Sequence, residues 1–388
     1  MSQGLQEIAT SAPAAPPARG GRARIVILVA VLSGIYVVSQ LLRNSIGVIA
    51  PDLARDLTLT ATDLGVLSGA FFFSFAAVQI PLGIAIDRWG PRATMIGSGA
   101  LAVAGTLMFA TADGLGGLTV ARIAMGLGCS TFYMAPLTIY TRWFAADRFS
   151  SIVSVQYGLG SIGTLLATAP LAFMAGWIGW RGSFLVIAAI VVAVLALVAM
   201  VARDAPPGQA PRTGPPETLA QGIAGVGEVM RQTDVWRLFA LNLVGYSAFV
   251  TILGLWAGPY LTDVYGLGLQ ERGNALLILA ASQIGAIFLW GPVDRLVGSR
   301  KIPVLCGVLG QVVVLAVLAL APALSLSAVL VLFFMLGVTS AYLPVVVAHS
   351  AREPPTLRAA LGSAVATSSP AQSASRNRTQ RWIAKSML

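Results

Sequence analysis

Residues 81–92, PLGIAIDRWGPR, decide the fold. An apolar run ends in Gly83-x-x-x-Asp87-Arg88-x-Gly90-x-Arg92, and a second apolar run begins at Ala93. Two apolar segments joined this tightly read as consecutive membrane-spanning helices. Gly83 and Gly90 permit a sharp turn and close helix contact. Arg88 and Arg92 hold that turn on the cytoplasmic side. Asp87 lies close to the start of the next helix, where a negative charge suits the helix dipole.

The rest of the chain fits an all-α polytopic membrane protein. It is 388 residues long, 56% apolar and 10% charged, against about 25% charged in ordinary soluble domains. Its mean hydropathy is +0.81. A net charge of +10 would suit nucleic acid if it were gathered on one face, but the cations are scattered through short loops. The two cysteines, Cys129 and Cys306, stand inside apolar runs, which favours buried small side chains over a disulfide or a metal site. His349 is the single histidine. No metal-ligand cluster and no Gly-Lys-Ser phosphate loop occurs, and every acidic residue falls in a tail, a loop or at a helix end. The expectation is a protein that is not an enzyme, with no cofactor and no metal.

Apolar segments of about 20 residues, each long enough to cross a hydrocarbon core, recur through the chain. They are expected near 25–50, 62–86, 93–112, 116–140, 151–174, 183–202, 237–261, 272–293, 302–322 and 325–349. The first is too long, and lacks a following small-residue cleavage site, for a secretory signal. With the N-terminus inside, 20 of the 25 Lys and Arg residues fall on the cytoplasmic side, the bias expected of an inner, plasma-membrane protein. Only Arg55, Arg181 and Arg272 fall opposite, while Arg43 and Arg122 lie within spans. Residues 1–24 read as a disordered cytoplasmic tail. A proline-rich joint at 203–236 separates a six-helix bundle (25–202) from a four-helix stretch (237–349). Residues 350–388 hold no apolar run that could span a membrane and read as a polar, disordered tail.

The first signature returns after the eighth span as Gly291-Pro-Val-Asp294-Arg295-Leu-Val-Gly298-Ser-Arg300-Lys301. Its spacing is one residue off at each glycine. Parallel halves carrying equivalent loops resemble the major facilitator superfamily of secondary transporters, over about residues 24–350. The resemblance implies two six-helix bundles. The present sequence supplies ten helices, six and four, and its ending reads as a divergence that removes helices eleven and twelve. In the family the end of the eleventh helix is thought to meet the first loop signature, so the resemblance implies that Asp87 loses that partner.

An arginine within a span costs on the order of 2.5–3.5 kcal/mol at mid-bilayer, which makes it a functional candidate. Tyr36, Gln40, Arg43, Asn44 and Gly47 share one helical face, and a polar stripe on an apolar helix turns toward a cavity. The stretch from Gln40 to Pro51, QLLRNSIGVIAP, resembles the first helix of organic-anion and sugar-phosphate permeases, in which an arginine at the matching position contacts the substrate anion. The competing reading has Arg43 snorkelling to the headgroups. Arg122, in Arg122-x-x-x-Gly126-x-Gly128, resembles the family's fourth-helix motif, linked to proton movement or contact between halves. Snorkelling competes there too, and the glycines read as a packing surface. Tyr133 on helix four and Asn242 and Tyr246 on helix seven complete the expected substrate site. The stretch from Gly254 to Tyr260 reads as a gate hinge.

The implied activity is alternating-access transport of a small, anionic organic solute. Its partners are that solute, a co-transported or exchanged ion and the lipid bilayer, with no nucleic acid and a monomer as the working unit. A membrane sensor that binds solute without moving it, or a non-functional truncated transporter, stand as alternatives.

Overall fold

The computed structural model describes residues 19–206, 247–297, 301–321 and 324–342, with 227, 231 and 236 standing alone. Among these, regular structure is helical throughout, without a strand. The first crossing is α1 (Arg19–Asn44) followed by α2 (Ile46–Leu57). The break at Ser45 has a local cause. The Asn44 side chain donates to Gln40 O at 2.8 Å and the Ser45 hydroxyl to Leu42 O at 2.9 Å, competing for carbonyls the helical ladder would use. Pro51 inside α2 has no N–H to return to the Gly47 carbonyl.

Next come α3 (Ala61–Ala77) and α4 (Gln79–Trp89), bent by 47° about Val78. Thr60 and Asp63 close a reciprocal capping box at the start of α3. Gly90, at φ +85°, makes the turn into α5 (Pro91–Thr111). The crossing made by α6 (Leu115–Cys129) and α7 (Thr131–Trp143) is interrupted at Ser130. After α8 (Ala146–Leu166), α9 (Ala169–Val201) bends at Gly179, φ +73°. Beyond the joint, a π-turn (Ile252–Trp256) leads into α10 (Ala257–Tyr265), then α11 (Leu269–Val297), α12 (Lys301–Leu320) and α13 (Leu326–Ser340).

Four of the described helical stretches are long and apolar enough to cross a membrane, or five when the bent α3–α4 pair counts as one. Their outer faces are apolar. Phe73, Phe173, Trp177 and Leu320 are each at least two-thirds exposed, which suits lipid and not water. Inside, small residues let helices touch. A Cβ on Gly126 would overlap the Phe71 carbonyl of α3, one on Gly128 would overlap Ala102 of α5, and one on Gly163 of α8 would overlap the Val37 carbonyl of α1. The glycines after Arg122 are thus a packing surface, as their spacing predicts.

Several expectations need correction. The first crossing continues to Leu57, so Asp52 stands inside a helix and not in a loop. Gly83, Asp87 and Arg88 of the signature are helical, on α4, and only Gly90 forms the turn. Gly291, Asp294 and Arg295 lie within α11, which runs to Val297. Cys306 is exposed, whereas Cys129 is buried. Helix α1 starts at Arg19, inside the stretch read as a tail. Arg300, most of the joint and the 350–388 tail lie outside the described residues.

Asp204, just past α9, organises the signature turn. Its carboxylate accepts from the Arg92 amide at 2.8 Å, capping α5 where the helix dipole is positive. The Trp143 indole donates to Arg203 O at 3.0 Å, tying the end of α7 to the same corner. Asp87 has a partner of its own.

Candidate functional site

Arg43 sits at the last turn of α1, immediately before the break at Ser45. Its guanidinium lies over the Phe75 ring at 4.7 Å and near Phe72 at 5.9 Å, a cation–π cushion supplied by α3. With Gln40 and Asn44 it lines a small, partly open polar cavity. The opposite walls come from Tyr157, Ser161 and Thr164 of α8, from Phe249, Val250 and Leu253, and from Gln283 and Ile284 of α11. Asn44 reaches Thr164 Oγ1 at 3.5 Å. Arg43 Nε and Gln40 Oε1 are buried and have no hydrogen-bond partner among the described residues. One nitrogen of Arg43 and one oxygen of Gln40 thus lack a hydrogen-bond partner among the described residues in the wall of this hollow.

The helical face expected from sequence is divided by the structure. Gln40, Arg43 and Asn44 share the cavity wall. Tyr36 and Tyr133 meet each other instead, ring centroids 4.9 Å apart, with the Tyr36 ring laid where a Cβ on Gly160 would stand. Asn242 and Tyr246 lie outside the described residues. Ser161 and Gln283 went unnoticed in the sequence. Gln283 had a readable signal, since it interrupts the apolar run of α11 around residues 275–289.

The snorkelling reading of Arg122 is overturned. Its side chain is wholly buried. Nη1 donates to Leu42 O at 2.9 Å and Nε to Leu67 O at 3.2 Å, while the guanidinium lies 4.5 Å from the Phe71 ring centroid. The sites of α1 and α3 next to Arg43 and its aromatic cushion are pinned by this one side chain.

Arg272 is likewise buried, 3% exposed, and not a solvated outer-loop cation. It ion-pairs with Asp52 of α2, and donates to Val48 O at 3.1 Å and to Thr262 Oγ1 at 3.0 Å. No group of three His, Cys, Asp or Glu side chains that could hold a metal ion gathers among the described residues.

Comparison with known proteins agrees with this architecture. The hexuronate transporter of Bacillus subtilis is 24% identical over 256 residues, covering 65% of this chain and 60% of that protein. Human monocarboxylate transporter 11 is 27% identical over 281 residues, covering 71% of this chain and 56% of that protein. The chain thus spans less than two thirds of the length of these curated relatives. A bacterial homologue of the human lysosomal transporter Spinster, in an inward-facing and unoccupied crystal structure, superposes with a TM-score of 0.71. That match has 19% identity and covers 88% of this chain and 78% of that one. A nucleoside transporter superposes at 0.69 with 13% identity, covering 86% and 85%. The family described as the Major Facilitator Superfamily matches residues 32–371, and with the helical fold above it places the chain: this protein belongs to the Major Facilitator Superfamily.

Proposed function

We propose that the protein moves a small organic anion across the membrane by alternating access, with Arg43 as the charge partner of the anion. The observation that carries this reading is the unpaired Nε of Arg43 in the wall of a polar cavity. An arginine whose donors point into a hollow of low dielectric binds a carboxylate through charge-assisted hydrogen bonds. Gln40, Asn44, Ser161, Thr164 and Gln283 offer neutral donors and acceptors for the hydroxyl or carbonyl groups of the same molecule. Two relatives are named for carboxylate anions, hexuronate and monocarboxylate, which supports the charge assignment.

In this reading the halves are the six crossings before the joint and the helices after it. The positive-inside bias puts the N-terminus and the signature turn on the cytoplasmic side of an inner membrane. The end where α2 meets α10 and α11 then faces outward.

Ligand-induced stabilisation tests the binding half of the proposal. Purified protein in detergent should melt at a higher temperature with millimolar glucuronate than with the uncharged sugar glucose. In Arg43→Gln the shift should vanish, because losing a charge-assisted contact weakens affinity roughly 10- to 150-fold. An equal shift in the parent and in Arg43→Gln would remove Arg43 from the site.

A further inference from the structure

Away from the cavity, toward the start of α1, the first half brings three polar side chains together. Helices α1 and α8 run side by side in close contact. A Cβ on Gly160 would overlap the Tyr36 ring, and one on Gly163 would overlap the Val37 carbonyl. One turn before Gly160 on α8 comes Gln156, and one turn before Tyr36 on α1 comes Ser33, so this register sets the two at one level. Tyr140, in the last turn of α7, turns its hydroxyl toward Ser33. All three are closed off from the surface: Gln156 and Tyr140 are 0% exposed and Ser33 is 1% exposed. None is satisfied. Ser33 Oγ, Tyr140 Oη and both polar atoms of Gln156 lack a hydrogen-bond partner among the described residues.

A buried polar atom left alone is costly, so groups in such places are bonded to protein or to ordered water. Four orphaned atoms at one level, from three helices, define a site. Their chemistry selects its occupant. The two hydroxyls both donate and accept, the amide nitrogen only donates and the amide oxygen only accepts. A cation would want oxygens alone and an anion donors alone. Water uses both kinds, and a buried water makes about three hydrogen bonds. We propose that Ser33, Tyr140 and Gln156 form a binding site for ordered water, which joins α1, α7 and α8 where these side chains make no hydrogen bond to one another. Tyr36, packed on Tyr133, lies on α1 between Ser33 and the cavity-lining Gln40. The water site therefore stands apart from Arg43 and goes beyond the anion reading without depending on it.

X-ray radiolysis of the purified protein tests this directly. Hydroxyl radicals made from a bound water oxidise the side chain beside it, and mass spectrometry reads the rate. Tyr140 should be oxidised in the parent despite its burial, and severalfold more slowly in Gln156→Leu, whose side chain is of similar size but cannot hold the water. Ser33→Ala should slow the oxidation too, and it serves as the second variant if Gln156→Leu does not fold. Phe109, equally buried against Trp180 and Phe184, should stay at background throughout. Thermal midpoints give an independent reading. With a shared water, Tyr140→Phe and Gln156→Leu each lower the midpoint, and the double variant falls by less than the sum of the two. With a dry site, each replacement removes an orphaned group and raises it. Tyr140 oxidation at one rate in the parent and both slowed variants, or a raised midpoint in both Tyr140→Phe and Gln156→Leu, would overturn the proposal.

Discussion

The guanidinium of Arg122 donates to the carbonyl oxygen of Leu42 at 2.9 Å, one residue before Arg43. The wholly buried Arg122 thus braces the turn that carries Arg43. Leu42 O also accepts from the Ser45 hydroxyl, so the turn carrying Arg43 is fixed from two directions at the point where α1 breaks.

Removing that brace should cost stability, not merely affinity. Arg122→Ala leaves the Leu42 and Leu67 carbonyls short of a donor and opens a void against Phe71, a loss of about 2–5 kcal/mol. Thermal unfolding in detergent should show a clear fall in midpoint for Arg122→Ala. Arg43→Ala, at a partly exposed position, should unfold close to the parent. Matching falls in both would deny the division of labour.

The α1–α8 contact makes a sharper steric prediction. Gly163→Val must push α1 away, since even a Cβ overlaps Val37 O, and overpacking of this kind costs about 1–3 kcal/mol. Gly158, on the same helix, has nothing within 4 Å of a built Cβ. Gly158→Ala should be neutral or raise stability by up to about 1 kcal/mol through helix propensity. Thermal midpoints of the two variants, measured side by side, check the contrast.

At the signature turn the weak point is Asp204. Asp204→Ala removes the acceptor for the Arg92 amide, a cap worth about 0.5–2 kcal/mol. Gly90→Ala should be worse, because φ is +85° and its Cβ would overlap the Asp204 carboxylate. Limited proteolysis near the signature should therefore rank Gly90→Ala above Asp204→Ala, and both above the parent.

What the sequence disclosed follows from the range of the forces involved. Lipid selects apolar composition residue by residue, so the helical fold and the tight turn at Gly90 were legible from the chain alone. The breaks at Ser45, Val78 and Ser130 were not, because each depends on which carbonyls the neighbouring side chains and helices claim. Arg122 read as a snorkelling candidate because its partners, Leu42 O and Leu67 O, are backbone atoms with no signature of their own. Asp52 and Arg272 stand 220 residues apart, and each alone resembles an ordinary helix-end charge. Only the folded contact reveals them as a pair.

The central claim is that Arg43 binds a transported anion. Its most direct test is uptake of radiolabelled glucuronate into proteoliposomes preloaded with the unlabelled compound. The parent should show counterflow, Arg43→Lys should retain a fraction of it, and Arg43→Gln should fall to the level of protein-free vesicles while staying folded. Counterflow by Arg43→Gln at the parent rate would contradict the claim.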